Sequence, residues 1–358
     1  DSINDDINRK RIAEIEFENA IKIKDKEIVE KEFKLKEEEL HNRKLNSYLL
    51  VSFVVLIIIV LFSVLLYYQF KQKTRAYAVI EEKQKELKIV NEVLENKNNE
   101  LEHKNLVITD SINYAKRIQE AVLPNEEFIK SRFREYFIFY KPKDIVSGDF
   151  YWVSEQNNKT IIASVDCTGH GVPGAFMSMI GNILLNEIVN TLKITDPVEI
   201  LTRLDEGVMT ALKQKDDRLR KQEDGMEITL CVINNESGTI EFAGANQKLI
   251  TVRNGVIEEY PGDLISIGGM YLIKTRKQSG FTKKTINIEK GLTIYLMSDG
   301  YVDQFGGISK QRFMTSRLRS LLLEIEKSDM NEQGLIISEK FDEWKAENKQ
   351  VDDVLVMG

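Results

Sequence analysis

Four acidic stretches could do chemistry in this chain of 358 residues: Ser147-Gly148-Asp149, Val165-Asp166-Cys167, Ser298-Asp299-Gly300 and Val351-Asp352-Asp353. Each sets an aspartate against an apolar, β-like run and beside a small or flexible residue, so each reads as a buried strand that stops at a carboxylate. Strand ends can converge on one rim of a sheet. Several carboxylates there, without an equal set of cations nearby in sequence, repel one another unless hard metal ions neutralise them. The pattern predicts an oxygen-ligated Mg²⁺ or Mn²⁺ site and phosphoester chemistry.

Composition narrows the alternatives. The net charge of −7 is spread in runs of mixed sign, which disfavours a nucleic-acid partner. Only three histidines occur, His41, His103 and His170, which rules out a His-rich zinc site. Cys167 and Cys231 lie in or beside apolar runs with no ligand spacing between them, as expected of reduced, buried thiols. No Cys-x5-Arg signature is present, which argues against a phosphocysteine mechanism. The chain begins at Asp1-Ser2 without Met and stops in an apolar run at Met357-Gly358, so it reads as a piece of a longer protein.

The elements that must position the acids fall into four segments. Residues 1–46 are dense in Glu and Lys with a narrow apolar seam, and read as the helical end of an upstream sensor or repeat domain. Residues 47–69 hold an apolar run from Tyr48 to Tyr68, broken only by Ser52 and Ser63. About 20 residues rising ~1.5 Å each span the ~30 Å hydrocarbon layer, so a single membrane-spanning helix is expected. Tyr67 and Tyr68 mark one interface, with Arg43-Lys44 and Lys71, Lys73 and Arg75 flanking the run. The C-terminal flank is slightly richer in cations and the module beyond reads as intracellular. That module is therefore placed on the cytoplasmic side of the inner membrane.

In residues 70–109, Ile80, Leu87, Leu94, Leu101 and Ile108 recur every seventh position, with Gln84, Asn91, Asn98 and Asn105 alternating. Leu at d with Asn at a describes a weak, register-specified, parallel two-stranded coiled coil, hence a homodimer. The helix continues to Leu123-Pro124, where Pro ends it. Strands are then expected over 137–140, 150–153, 160–165, 228–233, 239–243, 249–253, 256–260 and 292–297. Asn254-Gly255 supplies a two-residue hairpin turn. Helices are expected over 174–192, 196–213, 309–325 and 331–347. Hairpin-linked strands with helices in the insertions predict an α+β fold with an antiparallel β-sandwich core over 110–358.

The ordered set Ser147-Gly148-Asp149-Phe150-Tyr151, Asp166-Cys167-Thr168-Gly169-His170-Gly171, Met297-Ser298-Asp299-Gly300 and Asp352-Asp353 resembles the metal-dependent phosphatases of the protein phosphatase 2C superfamily. The branch it resembles is the bacterial SpoIIE-type, RsbU-like one. The resemblance covers about residue 110 to the end. It implies two stacked antiparallel sheets flanked by helices, with two Mn²⁺ or Mg²⁺ ions at one edge. It further implies that Asp166 bridges the ions, the Cys167 carbonyl binds one, and Asp299 with Asp352 or Asp353 completes the other. Asp149 would bind an ion directly or stand behind a ligand. A water between the ions would attack phosphorus in line, with no protein nucleophile. The implied substrate is a phosphoserine or phosphothreonine on a regulatory protein, commonly of the anti-anti-sigma type.

Further residues carry two readings each. His170 is a general acid for the leaving oxygen or a turn residue feeding the next helix. Lys141 and Lys143 contact the phosphate or lie at a solvated strand end. Asp224, in the polar loop 214–226, approaches an auxiliary third ion or is plain surface, and Asn246 ties down a loop or touches substrate. Helix 174–192 directly follows the Asp166 loop. The stalk could act on it by setting the spacing of two catalytic domains. The rival is a catalytically inactive member that binds a partner on signal. A histidine kinase with His103 as phosphoacceptor lacks an ATP lid here, and a nucleotide cyclase does not fit the Gly-His-Gly or the terminal Asp-Asp.

Overall fold

The computed structural model describes residues 2–214, 224–268, 280–307 and 310–358, with side chains from Ile7 onward. Contacts divide the chain into two units, Asp1–Leu101 and Glu102–Gly358. A single helix, α1, runs from Ser2 to Val122. In the first unit it is solvent-exposed along its length, including the whole 48–68 run and the seam residues Ile80, Leu87, Leu94 and Leu101. By length and composition α1 can cross a membrane. The helix at Gly171–Thr191 passes the same test, but much of it is packed inside the domain.

In the second unit, Leu123-Pro124 ends α1 and Asn125 caps α2, Glu126–Arg132, by accepting from the Phe128 N–H. Two antiparallel sheets follow. One has the order β1 (Ile138–Lys141), β13 (Val354–Met357), β10 (Thr293–Met297), β6 (Lys248–Arg253), β7 (Val256–Pro261). The other runs β2 (Phe150–Gln156), β3 (Lys159–Cys167), β4 (Gly225–Asn234), β5 (Thr239–Ala245), β9 (Lys284–Asn287), and β8 (Ile267–Gly268) pairs with β4. Asn254 and Gly255 both take positive φ, as the two-residue turn between β6 and β7 requires.

Three apolar clusters make a four-layer sandwich. Ile162, Cys231, Phe242, Leu296 and Leu355 fill the space between the sheets. Helices α3 (Gly171–Leu185) and α4 (Pro197–Ala211) cover the outer face of the β2–β9 sheet. Helix α5 (Gly300–Asp303) and a two-strand ribbon, β11 (Phe305–Gly306) with β12 (Gln311–Arg312), lead to α6 (Met314–Ile325) and α7 (Met330–Lys345), which cover the other sheet. The α+β sandwich is as expected.

The starts of two helices differ most from the sequence reading. The helix expected from 309 begins at Met314, because Gln311–Arg312 pairs back onto Phe305–Gly306. Position 309 itself lies outside the described residues. Helix 174–192 starts at Gly171 and ends in a π-helical turn, Asn186–Thr191. Its buried side is Gly174, Met177, Ser178, Gly181, Asn182 and Leu185, while Phe176 and Ile183 are exposed. Small residues face inward there because the neighbours come close: a β-carbon on Gly181 would lie 2.9 Å from the Phe150 ring.

Candidate metal centre

The acids gather on one rim of the sandwich, but not all at strand ends. Asp299 follows β10, and Asp166 is the penultimate residue of β3. Asp149 instead precedes β2, and Asp352-Asp353 leads into β13. Antiparallel pairing reconciles the two arrangements, since it sets the start of one strand beside the end of its neighbour. Phe150 pairs with Val165, and Met297 with Val356. Across the sandwich β3 also packs against β10 and β13.

Burial and mutual repulsion dominate the electrostatics. Asp149 is 3% exposed, and among the described residues its Oδ2 has no hydrogen-bond partner. Burial, then the Asp166 carboxylate, holds its carboxyl well above the usual range. Asp166 is raised strongly by burial and then by Asp299, Glu227 and Asp352. Asp299 is pushed up to about 6 by burial and by Asp303, Asp352 and Glu227. Arg312, paired with Asp303, lowers Asp299 only as the smallest of the effects on it, and burial with the surrounding acids prevails. Among the described residues no three acid, His or Cys side chains already close on one point. The donor set is all hard oxygen, and it includes a buried carboxylate oxygen with nothing to bind. That chemistry fits a divalent Mn²⁺ or Mg²⁺.

The two terminal acids differ in what they touch. Asp353 is buried, and its carboxylate accepts the Lys143 N–H and the Gly148 N–H, each at 2.7 Å. It clamps the segment that delivers Asp149. Asp352 is half-buried, and its charge acts on Asp149, Asp166 and Asp299. Close glycine packing fixes the loops. A β-carbon on Gly300 would overlap the Asp353 carbonyl, and one on Gly148 would sit 2.5 Å from the Gly169 carbonyl and 3.3 Å from that of Cys167.

The other expected residues separate. The Cys167 thiol packs in the core under α3, and burial raises it well above a normal thiol, so only its backbone carbonyl is available at the rim. His170 occupies the position before α3 without a side-chain hydrogen bond to the helix, and its Nδ1 lies 2.6 Å from Asp144 Oδ2. Lys143 reaches the site through its backbone N–H. The Lys141 ammonium binds Asp342 and lies over the Phe341 ring, both on α7. Asn246 takes positive φ, and its amide donates to Glu227. Asp224 stands beside Thr168, with its Oδ1 3.5 Å from Thr168 Oγ1, while 215–223 of its loop lie outside the described residues.

The family model for Stage II sporulation protein E matches residues 156–358, more than half of the chain. The chain belongs to the SpoIIE family. Among solved structures it is similar to the SiaA-PP2C domain of Pseudomonas aeruginosa. That match has 29% identity and a TM-score of 0.63, covering 71% of this chain and 96% of that one. The PP2C phosphatase domain of SpoIIE from Bacillus subtilis, solved with a fragment of its regulatory domain, shares the fold. There the identity is 16% and the TM-score 0.51, covering 62% of this chain and 61% of that one. No curated protein matches. The fold is thus that of PP2C-type serine/threonine phosphatases of the SpoIIE kind.

Within this SpoIIE fold three residues at the rim have no motif to announce them. Glu227 stands opposite Asp166 in the β3–β4 register. Asp144 holds His170. Gln119, near the end of α1, is buried between Ser147 and Ser178.

Proposed function

We propose that this chain is a membrane-anchored, metal-dependent protein serine/threonine phosphatase, acting on a phosphoserine or phosphothreonine of a regulatory protein of the anti-anti-sigma type. The observation that carries the reading is the buried, unpartnered Oδ2 of Asp149 among carboxylates that raise one another on one rim of a PP2C fold. Asp166, Asp299, Asp352 and the Cys167 carbonyl would hold two Mn²⁺ or Mg²⁺ ions, with Asp149 against them. When bound, such ions neutralise phosphoryl oxygens and acidify a water that attacks phosphorus. The chain's own part is to hold the carboxylates fixed, close together and partly shielded from water. Asp353 braces the Asp149 segment. Asp144 Oδ2 accepts from His170 Nδ1 and orients the ring, and in the doubly protonated imidazolium the Nε2–H is the donor aimed at the departing serine oxygen.

The apolar run 48–68 supports a single-pass inner-membrane anchor with the phosphatase on the cytoplasmic side. Exposed seam residues Ile80, Leu87, Leu94, Leu101 and Ile108 support a homodimer through the stalk. The test is release of phosphate from a phosphoserine peptide by the full chain with Mn²⁺, abolished by Asp166→Asn. No turnover with any divalent metal, in a folded protein, would favour the partner-binding module instead.

A further inference from the structure

Glu227 lies directly across from Asp166 in the antiparallel β3–β4 pair, flanked by the Val165–Ile228 pairing. Residues opposed in this way share a face with β-carbons about 5 Å apart, and like charges there destabilise the sheet. The contacts to Glu227 do not neutralise it. Asn246 Nδ2 donates to its Oε1, and Gln247 Nε2 lies 3.4 Å from its Oε2. Both are neutral amides, which orient a carboxylate without offsetting its charge. Asn246 is itself set in place, at positive φ with its N–H donating to the Asp263 carbonyl at 2.7 Å. Glu227 also stands close enough to Asp299 to act on its charge. The unpartnered Asp149 Oδ2 belongs to the same group of carboxylates, through its interaction with Asp166.

We propose that Glu227 is a further cation-holding residue of this centre, closing the side between Asp166 and Asp299, with Asn246 and Gln247 fixing its direction. The inference rests on the metal-centre reading above. The ligand class is a hard divalent cation, taken by the carboxylate itself or through a water on the ion. An acid at this register position, which would only weaken a bare sheet, then has a physical reason to be there.

The test is calorimetric titration of Mn²⁺ into the purified full chain in detergent, for the unaltered protein, Glu227→Gln and Asp166→Asn, with melting temperatures of the metal-free forms. Glu227→Gln is nearly isosteric and keeps one oxygen to accept from Asn246 Nδ2, while the longer Gln247 contact is kept once that side-chain amide turns to present its own oxygen. Its Mn²⁺ affinity is expected to fall roughly 10–100-fold, the usual effect of losing a supporting metal-site group. Its metal-free melting temperature should be equal or higher, because a repulsive pair is gone. Unchanged Mn²⁺ affinity in Glu227→Gln, with affinity lost in Asp166→Asn, would overturn this inference and leave the centre standing. Affinity retained in Asp166→Asn would overturn the centre and the inference together. A Glu227→Gln protein that melts lower without metal and binds Mn²⁺ poorly would make Glu227 a structural residue, which also overturns the proposal.

Discussion

Gln119 and Ser147 hold each other by two hydrogen bonds: the Ser147 N–H donates to Gln119 Oε1 at 3.1 Å, and Gln119 Nε2 donates to the Ser147 carbonyl at 2.6 Å. The same Nε2 donates to Ser178 Oγ on α3 at 2.8 Å. The end of α1 therefore grips both the segment leading to Asp149 and the helix that follows the Asp166 loop. Replacing Gln119 by Ala leaves buried backbone groups unpaired, at a cost of about 1–3 kcal/mol. The loosened Asp149 segment should lower kcat by up to roughly 100-fold, the scale of an ångström misplacement. Steady-state kinetics and thermal melting of the variant check both, and unchanged kcat would show that the contact is only structural.

The heptad positions Asn91, Asn98 and Asn105 continue to Ile112 and Gln119. Ile112 is half-buried and Gln119 buried against their own domain. Within Glu102–Val122 the positions Ile112 and Gln119 thus turn onto the phosphatase domain. Inserting one, two, three or four residues after Leu101 in the full chain should change activity with the period of the helix, lowest at insertions that rotate the seam furthest. Equal activity for all four insertions would sever the stalk from control.

Asp352 and Asp353 should separate cleanly. Asp352→Asn is expected to weaken Mn²⁺ binding while leaving the metal-free protein as stable or more so, since it removes a charge from a repelling group. Asp353→Ala removes the acceptor for the Lys143 and Gly148 N–H groups and should destabilise the fold by about 1–3 kcal/mol per orphaned donor. Melting curves with and without Mn²⁺ distinguish the two, and the opposite pattern would exchange their roles.

Stability should depend on pH in a direction set by the acids. Asp299 is raised from 3.8 to about 6, and Asp149 and Asp166 are raised well above the usual carboxyl value, all chiefly by burial. A carboxyl whose folded pKa is raised stabilises the fold fully below its unfolded pKa, and that contribution is lost as pH rises through the folded value. The metal-free protein should therefore lose melting temperature between about pH 4 and pH 6 and beyond. Mn²⁺ should restore it, with a larger gain at higher pH because ionised carboxylates bind the ion. Measured melting in EDTA that rises over this window would contradict the repulsive cluster.

Asp149, Asp166 and Asp299 were legible because each interrupts a strongly apolar run beside Gly, Ser or Cys, a pattern with few other uses. The rim was legible too, although antiparallel pairing let Asp149, Asp352 and Asp353 come from strand starts. Strands β9 and β13 were hidden. Lys284–Asn287 alternates polar residues at an edge, and Val354–Met357 is only four residues long. Glu227 falls in sequence between the polar loop 214–226 and the strand expected over 228–233, and only the register with Asp166 gives it meaning. Gln119 reads as one more polar core position of the stalk until its partners Ser147 and Ser178 are seen. The packing face of α3 misled because Phe176 and Ile183 look buried by type, while Gly174 and Gly181 make the close contacts.

The central claim is a pair of ions shared through Asp166. Electron paramagnetic resonance of the Mn²⁺-loaded full chain tests it most directly. The account predicts an exchange-coupled two-ion spectrum in the unaltered protein, lost in Asp166→Asn. Only isolated, uncoupled Mn²⁺ at saturating metal in the unaltered protein would contradict it.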